Sequence, residues 1–450
     1  MNLNKQTLNS FEERSKTKIC VIKCNEIGLS TACLLAEAGF KVIGVDKNIK
    51  IVETIKSGKS PFHEQGLEDL VSKNVKNGRL TASTNIKQAV SQSDAIIIVD
   101  DIPVDKKGRP DYSELETACR EIGKALQRGT LVIMATTVGP GVTETLVKNW
   151  VENSSGLKAG TDFGLAFSST EATVGRILHD ISHNPRLVAG INNESVEAAT
   201  LIFSSMGKSA IIPLSSIKAA ETACLFQNVY RDVVLALSNE LAVFCEKAGI
   251  DYAEVYKAAN ANPQCRLLAP EVTSKCAQKI PYLLLKEAED FAAKLRITRL
   301  AREVNENMVK HVVKLVRKAL KRCEKPLRGS RITIFGISRK ANIKTSINPE
   351  TVNLVKTLES KGAKVKVYDP FFSKKELSKL GCPAENSWKT AIKGADCLLI
   401  TIGHDYFKKI SLENIKVLMK SSSVIVDLSR ILDPEEAEEK DILLISLGRG

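Results

Sequence analysis

KICVIKCNEIGLSTACLLAEAGFKVIGVD, residues 18–46, is the stretch whose reading decides the fold. KICVIKC (18–24) reads as a strand from its β-branched run, and NEIGLSTACLLAEAGF (25–40) as a helix with a glycine near its end. KVIGVD (41–46) is a second strand that ends in an acid. Strand, helix and strand, with Asp46 about twenty residues beyond the first turn, form the βαβ unit of a dinucleotide-binding domain. In such a unit Gly28 lets helix and strand pack closely, and Asp46 stands where ribose hydroxyls are held.

Outward from this unit, AIIIV (95–99), TLVIMAT (130–136) and FGLAFS (163–168) are further strands separated by helical stretches, so the parallel sheet continues. From about Ser215 to Leu320 the pattern changes to long helices. KAAETACLFQNVYRDVVLALSNELAVFCEKAG (218–249) has apolar residues over much of its circumference, which calls for cover by other helices or by a second subunit. After the basic linker KRCEKPLRGS (321–330), RITIFG (331–336) begins a second α/β series through AKVKVYDP (363–370), ADCLLITIG (395–403) and SSVIVDLS (422–429). The expected fold is α/β: two Rossmann-like, doubly wound parallel-sheet domains joined by a helical domain, which the resemblance described below makes a dimerisation domain. The expected boundaries are a disordered tail over 1–17, then domains over 18–213, 214–325 and 326–450.

Composition narrows the partners. A chain of 450 residues exceeds one core and suits two or three domains. Its longest uncharged apolar runs, Ala95 to Val99 and Cys397 to Ile402, are strand-sized, far short of the roughly 20 residues that cross a bilayer. The opening residues lack the apolar run of a secretory signal, and the eleven cysteines show no CxxC pair, so reduced thiols in a cytoplasmic protein are expected. The net charge of +13 is spread among 52 acidic residues without a basic, aromatic-interleaved stripe, which argues against nucleic acid and suits an anionic nucleotide. His179 and His183, four apart, form at most half a metal site, so no metal is expected.

Several motifs in the right order make the chain resemble the UDP-glucose/GDP-mannose dehydrogenases, most closely the UDP-N-acetylmannosamine dehydrogenase branch. They are TTVGPG (136–141), GRIL (175–178), QNVYRDVVLALSNELAVFCEKAGID (227–251), KANI (340–343), VYDP (367–370) and GHDYF (403–407). The resemblance implies NAD on the first domain, a UDP-sugar on the last, and dimerisation through the middle helices. It also implies oxidation of the sugar C6 alcohol to a carboxylate in two hydride transfers, with a cysteine carrying the intermediate. By position it assigns Cys276 and Asn228 to catalysis, Gly28, Asp46 and Thr137 to the cofactor, and Arg176, Arg231 and Lys340 to the substrate.

Other positions depart from the family pattern. The glycine-rich turn GxGYxG reads KCNEIG (23–28), with Lys23 and Asn25 in the place of glycines and Glu26 in that of the tyrosine. Asp101 and Ile102 replace the polar end of a V-x-T-P motif. The catalytic lysine is Cys224, and Lys218 lies roughly 600° away around the helix. Thr170 stands for a glutamate and Glu171 for an arginine. The glycines and histidine before Cys276 become Glu271, Thr273, Ser274 and Lys275, and an aspartate becomes Ile280. Ile347 stands for a substrate-binding arginine, Arg339 for an aromatic, and Asn262 and Gln264 for a histidine and an arginine. The losses gather at ligand-contacting positions: two Cβ-bearing residues and an acid at this turn oppose the family's NAD, and Lys23, as a point charge open to a phosphate, is the feature that favours it. The leading expectation is a catalytically silent binding or regulatory subunit, as a homodimer or paired with an active relative. The alternative is an active UDP-sugar 6-dehydrogenase, or an enzyme of altered chemistry, that uses Cys276 as nucleophile beside Lys275 or Lys279.

Overall fold

The computed structural model describes residues 3–105, 108–272, 280–344 and 347–450. The chain divides into two compact units, Met1–Asn228 with Lys279–Lys294, and Val229–Gln278 with Leu295–Gly450.

The first unit holds an eight-stranded sheet. Its strands are β1 (Lys18–Ile22), β2 (Lys41–Val45), β3 (Leu80–Ser83), β4 (Ala95–Ile98), β5 (Leu131–Met134), β6 (Gly164–Ser168), β7 (Arg186–Gly190) and β8 (Ile211–Pro213). Their order is β3-β2-β1-β4-β5-β6-β7-β8, and neighbours run parallel except β6 and β7. Successive residues of β1 feed opposite cores, Ile19 and Val21 on one face and Cys20 and Ile22 on the other. Burial of both faces explains why the strands read as continuous apolar runs. The order reverses between β1 and β4, which places the crevice of a doubly wound sheet at their carboxyl ends.

The amino-terminal residues correct one expectation. Instead of a disordered tail, two short helices, α1 (Lys5–Leu8) and α2 (Phe11–Arg14), pack on this unit. Leu3 and Leu8 join the core, and the Arg14 side chain donates to the carbonyls of Ala38 at 2.7 Å and Leu8 at 3.0 Å. Two buried apolar side chains, Leu3 and Leu8, with the Arg14 bonds, dock a segment that is polar on average.

The second unit carries a five-stranded parallel sheet ordered β10-β9-β11-β12-β13. Its strands are β9 (Arg331–Phe335), β10 (Lys364–Tyr368), β11 (Cys397–Ile400), β12 (Val424–Asp427) and β13 (Leu443–Ser446). Here too alternate residues face separate cores, Cys397 and Leu399 on one side and Leu398 and Ile400 on the other.

Between the sheets in sequence runs the long helix Ile217–Ala248, followed later by the helix Arg296–Arg322. In the second unit Asp232 meets Arg302 at 2.6 Å, and Asn305 donates to Asp232 and bonds Asn239, which ties the two helices through a buried polar cluster. Tyr230, Leu237 and Phe244 are 60%, 48% and 61% exposed at a spacing of seven, so they form one bare apolar stripe along the long helix.

Candidate functional site

β1 delivers the chain to a turn before the helix α3 (Glu26–Glu37). Lys23 sits there at φ 72°, the left-handed region that costs a side-chain-bearing residue roughly 1–2 kcal/mol and glycine nothing. The backbone shape of a glycine turn is therefore kept without the glycine. Gly28 is irreplaceable for space: a Cβ there would lie 2.0 Å from the Lys23 carbonyl oxygen. Asn25 caps α3, its Oδ1 accepting from the Gly28 amide at 2.8 Å, while its Nδ2 donates to Asp101 at 3.2 Å. Asp46 receives the Cys24 amide at 3.0 Å and the Asn48 amide at 2.8 Å, so it pins the turn to the end of β2.

Charge completes this site. The Lys23 ammonium pairs with Asp100, and Asp101 and Glu114 each lie 3.8 Å from it. Burial works against that ammonium, yet the bond to Asp100 and the three carboxylate charges outweigh it and raise its pKa above the ordinary lysine value. Asp100 is itself held by Thr136, whose Oγ1 accepts the Asp100 amide at 2.6 Å.

A dinucleotide pyrophosphate requires open amides at the start of this helix and a side-chain-free approach. Here the Gly28 amide is already bonded, Asn25 projects where a hydrogen should be, and three carboxylates surround a single ammonium. These residues do not fit NAD.

A second group of expected residues meets where the long helix begins. Thr137 Oγ1 lies 3.6 Å from Cys224 Sγ, and Asn228 Nδ2 donates to the Cys224 carbonyl at 2.9 Å and to Glu171 Oε1 at 3.3 Å. Burial pushes the Cys224 thiol up to about 12, against the bond from Thr137, so it stays neutral where proton transfer would need a titrating amine. Lys218 turns elsewhere, with Nζ 4.7 Å above the Phe291 ring. One turn before Cys224, the buried Glu221 accepts the amides of Gly141 at 2.5 Å and Thr143 at 2.9 Å, fastening the TTVGPG turn to the helix. Burial raises Glu221 to about 7 despite those bonds.

The other expected residues are scattered. Arg176 is exposed and pairs with Asp180 at 3.1 Å, while Glu64 caps the neighbouring amides of Gly175 and Ile177. Thr170 accepts from the buried Arg186 at 3.1 Å. In the second unit Arg231 is exposed on the long helix, and Lys340 is half-buried in the segment after β9. Cys276, with Lys275 and Lys279, lies outside the described residues. His179 and His183 stack at 4.4 Å, and no group of three metal-binding side chains occurs among the described residues. Among those residues, too, no helix is long and apolar enough to cross a membrane.

Comparison with known proteins matches three domains in sequence. Residues 17–206 match the NAD binding domain of the UDP-glucose/GDP-mannose dehydrogenase family, 218–307 its central domain and 333–434 its UDP binding domain. The chain belongs to this family. A UDP-N-acetyl-D-mannosamine dehydrogenase from Methanococcus maripaludis is 30% identical over 96% of this chain and 97% of its own length. One from Pyrococcus horikoshii is 29% identical over 93% of this chain and 96% of its own. A solved structure of a UDP-D-ManNAc dehydrogenase from Pyrococcus horikoshii superposes with a TM-score of 0.88 at 27% identity, covering 96% of this chain and all of that one. The chain thus carries a nucleotide-sugar dehydrogenase fold from end to end.

Against that family, sequence reasoning missed Asp100, Glu114 and Glu221. The doubled acid VDD (99–101) was the one visible sign of the first, whereas Glu114 and Glu221 sit in ordinary helical sequence.

Proposed function

We propose that this protein binds a nucleotide sugar without carrying out the family's NAD-dependent oxidation, and acts as a cytoplasmic binding or regulatory subunit. The observation that supports this most is the occupied turn: Asn25 caps the Gly28 amide and Lys23 is bound to Asp100, so the pyrophosphate's place is filled by the chain's own groups. The neutral thiol of Cys224 supports the same reading, because losing one positioned acid–base group costs about 10² to 10⁴ in rate. The match to a UDP binding domain and the relatives' names favour a UDP-N-acetylhexosamine over other nucleotide sugars. The bare stripe of Tyr230, Leu237 and Phe244 favours a dimer, with a second copy or with an active relative.

A different reading, altered chemistry through Cys276, draws on Glu171, whose carboxylate stands beside Asn228 and keeps an acid next to the position where Thr170 replaces the family's glutamate. One experiment separates the two. The full chain is mixed with NAD+ and a panel of UDP-hexoses under anaerobic conditions, and NADH absorbance is followed beside UDP binding by calorimetry. Binding of UDP with a flat NADH trace is the expected result. NADH formation that disappears in Cys276→Ser overturns the silent reading.

A further inference from the structure

Three motifs of the second unit, KANI, VYDP and GHDYF, are far apart in sequence and meet at the carboxyl ends of β9, β10 and β11. His404 joins them. It is fully buried, its Nδ1 accepts the Asn342 backbone amide at 2.9 Å, and its Nε2 lies 3.3 Å from Asp369 Oδ2. A backbone amide can only donate, so Nδ1 carries no proton and Nε2 is the nitrogen that donates to Asp369. Asp369 in turn receives the amides of Ile337 at 2.8 Å and Ser338 at 3.1 Å, and the Ser338 hydroxyl at 2.8 Å.

The segment that follows β9 is thus held at both ends. Ser338 is bound at its start by Asp369, and Asn342 by His404. Asn342 is also in the left-handed region at φ 65°, and its side chain exchanges bonds with Asp405, receiving that residue's amide at 2.8 Å and donating to its carboxylate at 2.7 Å. The ring of His404 is wedged between Phe371 and Phe407, at 5.0 and 5.3 Å between centroids, which fixes its plane. Lys340 lies between the two anchors. The sheet order reverses between β9 and β11 at this same end, where open α/β sheets take their ligands.

We infer that His404 is a positioning residue: its neutral imidazole, clamped between Asp369 and the Asn342 amide, sets the place of Ser338–Lys344 and so presents Lys340 to the diphosphate of a bound nucleotide. This rests on the reading that the second sheet takes a nucleotide sugar. His404 touches no ligand; it removes the need to order the segment when one binds.

The test uses the full chain and three forms at position 404. His404→Phe keeps an aromatic filler but loses both bonds, and His404→Asn keeps an acceptor in place of Nδ1. UDP is titrated by calorimetry, and hydrogen exchange is followed in the peptide containing Ser338–Lys344. The expected result is UDP affinity about tenfold weaker in His404→Phe and restored to within about threefold of wild type in His404→Asn. Exchange of that peptide rises about tenfold in His404→Phe, with the peptides of β9 and β11 unchanged. Equal affinity or equal exchange in wild type and His404→Phe overturns the inference. If the wild-type chain takes up no UDP, the nucleotide reading falls, and exchange alone decides the role of His404. A general loss of protection in β9 and β11 with both variants marks a purely structural residue and also overturns it.

Discussion

Reopening the turn after β1 should return affinity for a dinucleotide without unfolding the protein. The perturbation is Lys23→Gly with Asn25→Gly and Asp101→Asn. Losing the Lys23–Asp100 contact costs on the order of 2 kcal/mol for a partly buried bond between charged groups. Relief of the left-handed backbone at residue 23 returns roughly 1 kcal/mol. Glycine in place of the Asn25 cap costs only about a few tenths of a kcal/mol. The net loss, about 1 kcal/mol, lies within the 5–15 kcal/mol that domains typically hold. The ligand side gains more: the Gly28 amide is freed and two side chains leave the phosphate's path, while the site's net charge is unchanged because the Lys23 ammonium goes together with the Asp101 carboxylate. NADH fluorescence enhancement is the assay. The wild-type chain should show a dissociation constant weaker than about 1 mM, and the triple variant should bind at least about tenfold tighter, a gain of about 1.4 kcal/mol. Saturable micromolar binding by the unaltered chain would refute the reasoning, because the occupied turn would then be no obstacle.

Gly28→Ala should destabilise the first unit by at least about 3 kcal/mol, since its Cβ would strike a backbone oxygen at 2.0 Å that cannot give way; urea unfolding checks this, and a loss under about 1 kcal/mol sinks it. Glu221 should make stability pH-dependent. Its folded pKa, about 7 against an ordinary 4.5, means that the folded state holds the proton more tightly, so its contribution falls by on the order of 3 kcal/mol as pH rises from about 4.5 to 7, and is flat above. Wild type minus Glu221→Gln, measured by urea unfolding at several pH values, should show that slope, and a constant difference contradicts it. Replacing Leu237 and Phe244 with glutamate should convert a dimer to monomers in sedimentation velocity, while an unchanged species with both glutamates present rules out the stripe as the interface.

Much of the architecture was legible because periodicity reports burial. β1, β2, β4, β5 and β6 are apolar runs, and the long helix keeps its helical spacing to Gly249. What escaped had weaker patterns. β3 is LTAS, β8 is IIP, and β7 begins at Arg186, whose guanidinium is buried among Ser168, Ser169 and Thr170. The amino-terminal helices were hidden by their polar majority. At the site, sequence gave the identities at the turn but not their partners: Lys23 and Asp100 are 77 residues apart, and His404 and Asp369 35 apart. Sequence reading treated the Lys23 ammonium as available to a phosphate, and the fold engages it with carboxylates. Asp46 illustrates the opposite case. Its retention reads as a ribose ligand in sequence, yet its bonds to the Cys24 and Asn48 amides give it structural work whether or not a ribose is present.

The left-handed lysine at position 23 has a wider consequence for how such folds are found. A pattern search for glycines looks for the cheapest way to encode a bend, and this chain draws the same bend with a costlier letter, secured by Asp46 and Asp100 just beyond the ends of β2 and β4. Geometry can outlast the residue that first made it easy. Distant kin of dinucleotide-binding folds are then better sought by torsion angles and by the glycine at position 28, where bulk and not flexibility forbids exchange.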